Sequence, residues 1–108
     1  MSAALVEDRI FQALADPNRL AIFESLTRGE AAVKDLTARF DISQPAVSQH
    51  LALLKDAGLV KGRRDGRHVY YRVKPRGMKP LIDWIAHYRA FWIEHVDRLE
   101  ALLEKMDE

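Results

Sequence analysis

The chain has 108 residues, the size of one compact domain, and its composition (48% hydrophobic, 31% charged) is typical of a folded protein rather than a disordered one. It contains no cysteine, which excludes disulfides, thiolate nucleophiles and cysteine-based metal sites, and it has no apolar stretch suited to a signal peptide or a membrane helix. We therefore expect a cytoplasmic protein without membrane contact.

The net charge of +1 conceals a basic segment at residues 55–79. This segment holds nine Lys or Arg and two Asp or Glu, for a net charge of +7, and it lies between acidic flanks. Such a local concentration of positive charge favours contact with a polyanion, although a solvated basic loop would have the same composition.

Two short helices are predicted at the start of the chain. The first covers residues 5–15, with Leu5 and Phe11 among its apolar positions. Asp16 can cap a second helix, and Pro17 suits the first turn because its missing N–H would be unpaired there. Gly29 is predicted to close this second helix, because glycine tolerates the backbone conformation found at helix ends.

A pair of helices separated by a short break follows. Residues 31–40 have apolar side chains at helical spacing, and residues 41–43 interrupt the pattern. Ser43 is a good N-cap for the next helix, which runs to about Ala57. Two helices joined by so short a break have the spacing of a helix-turn-helix, which we place at about residues 32–57.

The second helix of this pair, residues 43–57, is the predicted recognition helix. Its apolar residues Val47, Leu51 and Leu54 should face the core and leave polar side chains outside. Glutamine can form two hydrogen bonds to adenine in the major groove, although polar residues on a helix are often only solvated. The predicted DNA contacts on this helix are Ser43, Gln44, Pro45, Ser48, Gln49, His50 and Lys55.

Residues 59–73 change from helical to alternating periodicity, which predicts a β-hairpin, or wing. Asp65-Gly66 indicates a two-residue turn in which both residues need positive φ. The pairs predicted by this turn are Arg64 with Arg67, Gly62 with Val69, and Val60 with Tyr71. The apolar face would hold Val60, Val69, Tyr71 and Val73. The exposed tip would supply phosphate contacts from Arg63, Arg64, Arg67 and His68.

A long helix is predicted at about residues 80–106, after a linker bracketed by Pro75 and Pro80. Its apolar residues recur at alternating spacings of three and four, which is typical of a heptad seam. The helix has more apolar surface than one face needs, which favours a dimer interface over an intramolecular core. The predicted interface residues are Leu5, Phe11, Ile85, Tyr88, Trp92, His95, Leu99 and Leu102.

Helix, break, helix and basic hairpin is the order of a winged helix-turn-helix. The stretches ALADPNRLAIF (13–23), ISQPAVSQHL (42–51), LKDAGLV (54–60) and GRRDGRHVYYR (62–72) resemble the ArsR family of bacterial winged-helix repressors. The resemblance implies a mainly α fold with a small β-hairpin, one winged helix-turn-helix domain over residues 1–108, and a long C-terminal dimerisation helix. It also implies a homodimeric transcriptional repressor that binds an inverted repeat of double-stranded DNA through the recognition helix and residues 61–72 of the wing.

The metal-sensing motifs of that family are incomplete in this chain. Ala32 and Lys34 stand where many members have the thiolates of a Cys-Val-Cys segment. Other members bind zinc on the last helix through Asp-x-His with a later His-x-x-His or His-x-x-Glu. Here Asp83 is not followed by a histidine two residues later, and His95 is not followed by a histidine or glutamate three residues later. We therefore predict no metal and no other cofactor.

Two alternatives to this function stay open. A zinc-responsive repressor could use His87 and His95, since imidazole suits zinc. A protein-interaction module could keep the same fold as a scaffold. An enzyme is not expected, because no nucleophile triad, glycine-rich phosphate loop or paired-carboxylate motif appears. The effector that would release such a repressor from DNA cannot be read from the sequence.

Overall fold

The computed structural model describes the backbone of residues 3–107 and the side chains of residues 8–89, 91 and 93–107. The first two helices are α1 (Ala3–Leu14) and α2 (Pro17–Thr27). The Asp16 side chain accepts hydrogen bonds from the backbone N–H groups of Asn18 and Arg19, so the predicted cap is confirmed. Arg19 in turn donates to the carbonyls of Gln12 and Ala13, which leaves these groups at the end of α1 satisfied.

The helix-turn-helix consists of α3 (Val33–Phe40) and α4 (Gln44–Asp56). Asp41 takes a left-handed conformation with φ of 52° and closes α3 by donating its N–H to the carbonyl of Thr37. The Ser43 hydroxyl then accepts a hydrogen bond from the N–H of Ala46 and caps α4, as predicted. The three-residue break therefore has a defined backbone at both of its ends.

Three strands form an antiparallel sheet in the order β1-β3-β2, with β1 at Ala31–Ala32, β2 at Val60–Asp65 and β3 at His68–Val73. The prediction that a helix begins at residue 31 was wrong by two residues. Ala31 and Ala32 are extended and pair with Tyr71 and Tyr70, so α3 begins only at Val33. The sheet therefore has a third strand, beside the hairpin, that the alternating pattern did not indicate.

The predicted register of the hairpin was also wrong. Asp65 pairs with His68 and Gly62 with Tyr71, so the two-residue turn is Gly66-Arg67 instead of Asp65-Gly66. Of these two turn residues only Gly66 has positive φ, at 63°. The observed turn places glycine at its first central position, which avoids forcing Asp65 into a left-handed conformation. The shift leaves each strand's inner and outer faces unchanged, so Val69, Tyr71 and Val73 still share the inner face with Val60.

The core lies where α1–α4 meet the inner face of the sheet. The side chains with no exposed surface are Ile10, Ile22, Leu36, Val47, Leu51, Leu54 and Leu59. Tyr71 and Val73 of β3 pack against this cluster from the sheet. The core therefore joins the helix-turn-helix to the hairpin and fixes their relative positions.

The last helix, α5, covers Lys79–Met106, and a short 3-10 helix at Pro75–Met78 leads into it where a linker was predicted. Phe11 of α1 meets Trp84 of α5 edge to face, with ring centroids 5.5 Å apart. The radius of gyration is 17.7 Å. A compact chain of this length would have about 13 Å, so α5 projects from the rest of the molecule.

Gly77 is required by a close approach of two backbone segments. A Cβ at this position would lie 1.6 Å from the carbonyl oxygen of Gly58. We predict that Gly77→Ala lowers the free energy of unfolding by about 2 kcal/mol or more, because the backbone itself must move. Urea denaturation measures this difference. The control Arg76→Ala removes an exposed side chain from the same turn, and equal midpoints for the two variants would contradict the prediction.

Candidate nucleic-acid interface

One side of α4 is held in the core and the other is open to solvent. Val47, Leu51 and Leu54 are fully buried, which confirms the predicted inner side. The exposed residues on the remaining surface include Gln44, Pro45, Ser48, Gln49 and Ala52. Because three buried anchors span two turns of the helix, its polar side is presented in a fixed orientation.

A cleft of about 150 Å³ lies between the first two turns of α4 and the turn of the hairpin. Gln44 and Ser48 line it from α4, and Arg67 and His68 line it from the hairpin. Two groups of residues that the sequence predicted separately are therefore brought together. The cleft combines hydrogen-bonding side chains with positive charge, a combination suited to base edges beside a phosphate backbone.

Lys34 is a further residue of this cleft that sequence reasoning did not include among the DNA contacts. It lies in the first turn of α3, directly after β1, and its side chain is exposed. In the sequence it was considered only as a residue that cannot replace a metal-binding cysteine. The signal in the sequence that could have identified it as a DNA contact is a lysine close to the start of the helix-turn-helix.

Other predicted contacts lie away from the cleft. The hydroxyl of Ser43 is engaged in capping α4. Lys55 is exposed in the last turn of α4, about 16 Å along the helix from Gln44. Pro45 and Gln49 face solvent on the exposed side.

His50 lies on a different side of α4 from Ser48, since two residues correspond to a rotation of about 200°. It is half-buried, and within the described part of the chain its Nδ1 atom is buried without a hydrogen-bond partner. The pKa of Asp16 is lowered, first by the hydrogen bond from the Arg19 N–H and to a smaller extent by the charge of His50. His50 therefore faces the start of α2 and does not line the cleft.

Arg63 is held by an ion pair that the sequence did not reveal. Its guanidinium donates to both carboxylate oxygens of Glu30, at 2.6–3.2 Å, and its Cζ atom lies 4.7 Å from the ring centroid of Tyr70. The hydrogen bond from Arg63 lowers the pKa of Glu30, and the same bond raises the pKa of Arg63. Arg63 thus ties the hairpin to the residue before β1, whereas Arg64 lies on the other face of β2.

Most of the predicted dimer residues leave their side chains exposed in the isolated chain. Ile85, Leu99 and Leu102 are each at least half exposed, and Phe11 and Tyr88 are exposed to a lesser degree. His95 is exposed, with its Nδ1 atom 2.9 Å from the carbonyl oxygen of Phe91. The side chains of Leu5 and Trp92 lie outside the described residues.

Among the described side chains, at residues 8–89, 91 and 93–107, no three His, Asp or Glu residues lie closely enough together to hold a metal ion. No helix within residues 3–107 is both long and apolar enough to cross a membrane.

Comparison with known proteins identifies the fold and the family. The model of the arsR family of bacterial regulatory proteins matches residues 16–61. The chain is 31% identical to the transcriptional repressor SdpR of Bacillus subtilis, over 75% of this chain and 90% of that protein. It is 46% identical to the HTH-type transcriptional regulator Rv2034 of Mycobacterium tuberculosis, over 75% of this chain and 76% of that protein.

The chain belongs to the ArsR family. A crystal structure of an ArsR family transcriptional regulator superposes with a TM-score of 0.73 at 31% identity, over 82% of this chain and 92% of that one. The predicted winged helix-turn-helix fold is therefore confirmed, and the chain is a transcriptional repressor of the ArsR type with a DNA-binding helix-turn-helix. The family match covers α2, α3 and α4, and so includes Lys34, Gln44 and Ser48 of the cleft but not its hairpin residues Arg67 and His68.

The ion pair of Glu30 and Arg63 predicts a pH-dependent stability of this ArsR-family domain. The folded-state pKa of Glu30 lies below its ordinary value of 4.5. The ion pair therefore stabilises the fold above pH 4.5, and this contribution is lost as the pH falls through the folded-state pKa. Glu30→Gln should lower the free energy of unfolding at pH 7 and have little effect in acid.

Urea denaturation of both proteins between pH 7 and pH 3 tests this prediction. The matched control is Glu24→Gln, which changes an exposed carboxylate that forms no ion pair within the described residues. Arg63→Ala should also cost less in the Glu30→Gln background than in the native chain. A difference between native and Glu30→Gln proteins that stays constant or grows in acid would refute the assignment.

Proposed function

We propose that this chain is a cytoplasmic, non-catalytic homodimeric repressor that binds an inverted repeat of double-stranded DNA and has no cysteine-based metal sensor. The recognition helix, residues 43–57, enters the major groove, and the wing, residues 61–72, contacts the phosphate backbone. The observation that carries this proposal is the shared cleft, which places Gln44 and Ser48 of α4 beside Arg67 of the hairpin.

The division of labour within the site follows from the chemistry of its side chains. Gln44 and Ser48 have directional donors and acceptors that can distinguish base edges. Arg64 and Arg67 are exposed cations on the hairpin, and neither forms an ion pair within the described residues. They suit phosphates, whose contacts give affinity and little sequence information. Arg63 is already neutralised by Glu30, so we assign it to holding the wing.

The apolar surface of α5 supports the dimer. Ile85, Tyr88, Leu99 and Leu102 are exposed at heptad-like spacing on a helix that projects from the molecule. Such a surface is costly in water and is typical of an interface between two chains. A two-fold axis would present two α4 helices to the same side of a duplex, about 34 Å or one helical turn apart, or a multiple of it.

Substitutions in the cleft should separate base recognition from phosphate binding. Gln44→Ala or Ser48→Ala should reduce discrimination between the operator and altered sequences by about 1–3 kcal/mol for each lost base contact. Arg64→Ala or Arg67→Ala should instead weaken binding to all sequences similarly. Either change should also reduce the salt slope, which is the slope of log binding constant against log salt concentration, by about one.

Fluorescence anisotropy with specific and altered duplexes, at several salt concentrations, measures both quantities. Arg28→Ala is the control, because Arg28 is an exposed arginine at the end of α2 and lines neither the cleft nor the wing. If the arginine variants of the hairpin changed sequence preference while the Gln44 variant did not, the two roles would have to be exchanged.

A charge on the apolar surface of α5 should abolish the dimer. Leu99→Glu places a carboxylate on the exposed seam, and we expect sedimentation velocity to find single chains with much weaker operator binding. Ala101→Glu adds the same charge on the opposite side of the helix and should leave the dimer intact. A native protein that sediments as a single chain at micromolar concentration would refute the dimer directly.

A further inference from the structure

A second basic cleft lies at the open end of the hairpin, away from its turn. It has a volume of about 460 Å³, and Val73 and Pro75 form its apolar wall. Four cationic side chains line it, namely Lys61, Arg72, Lys74 and Arg76, and all four are exposed. In the part of the chain that the structure describes, no acidic residue lines this cleft. We name it the wing-base cleft.

The strand register places three of these cations on one face. Lys61 pairs directly with Arg72 across β2 and β3, so their Cβ atoms are about 5 Å apart. The N–H of Lys74 donates to the carbonyl of Leu59, which continues the same register by one more position. Lys74 therefore follows Arg72 on the same side of the sheet, because alternate residues share a face.

Like charges directly opposite each other destabilise a strand pair. Among the described side chains, none of the four cations forms an ion pair or a side-chain hydrogen bond, whereas Arg63, on the same face of β2, is bound to Glu30. The pKa of Glu30 is lowered mainly by the hydrogen bond from Arg63, and Arg72 acts on that carboxylate only at longer range, as a minor cause. Such a concentration of unpaired positive charge is explained if an anion binds there.

The form of the cleft favours a polyanion over a small molecule. Small-ligand sites usually enclose the ligand and fix it with a few well-placed polar groups. Here every cation is an exposed, long side chain, an arrangement suited to a phosphate backbone. Lys61 lies about 15 Å along the strand from the turn at Gly66, so phosphates that reach this cleft are different from those at the turn.

We propose that the wing-base cleft binds backbone phosphates of the duplex that flanks each half-site. This inference rests on the proposed function, because it assumes that α4 and the turn of the hairpin dock on the operator. It assigns Lys61, Arg72, Lys74 and Arg76 to contacts outside the base pairs that the recognition helix reads.

The test compares two operator duplexes of equal length and sequence, about 40 bp long, with the full chain. One has native phosphates, and the other has uncharged methylphosphonates in the outer ten base pairs at each end. For the native protein, neutral flanks should lower the affinity and reduce the salt slope by about two or more, since each lost phosphate contact removes about 0.9. Lys61→Ala/Arg72→Ala should show a smaller difference in affinity and in salt slope between the two duplexes than the native protein does.

The matched control is Arg28→Ala/Lys105→Ala, which removes two exposed cations outside both clefts and should behave as the native protein does. If the native protein binds both duplexes equally, the inference is overturned while the proposed function stands. If it does not bind the operator even with native flanks, the proposed function itself fails.

Discussion

The burial of one side of α4 is the constraint on which the site depends. Val47, Leu51 and Leu54 have no exposed surface, and they lie in the same core as Ile22 and Leu36. Replacing any of these side chains by a smaller one would leave a cavity, and for a buried leucine changed to alanine this lowers the free energy of unfolding by about 2–5 kcal/mol. Because of this anchoring, the polar side of α4 has one orientation relative to the hairpin, and Gln44 and Ser48 reach the cleft together with Arg67.

The positive charge of residues 55–79 is divided by the hairpin into parts with different tasks. Among the described side chains Arg64 and Arg67 form no ion pair near the turn, Arg63 is bound to Glu30, and further cations surround the wing-base cleft. The alternation of side chains along β2 produces this division, since neighbouring arginines point to opposite faces. One basic segment can therefore hold the wing in place and also offer charge to two sets of phosphates.

The sequence predicted the local features of the fold well. Asp16 and Ser43 are caps whose side chains suit the first turn of a helix, and the apolar spacing identified the buried side of α4. It did not predict the strand Ala31–Ala32, because two alanines carry no alternating pattern. It also did not predict the turn at Gly66-Arg67, because Asp65-Gly66 is an equally good candidate for a two-residue turn. The pair Glu30–Arg63 joins residues 33 positions apart, and only the tertiary fold reveals such a contact.

The central claim is that two copies of α4 lie on one side of the operator. Because the chain has no cysteine, Gln49→Cys creates a single attachment point for a DNA-cleaving reagent on the exposed side of the helix. We predict two clusters of cleavage, related by the symmetry of the operator and separated by about 10 bp or a multiple of it. A single cluster, or cleavage without any preferred position, would contradict the claim.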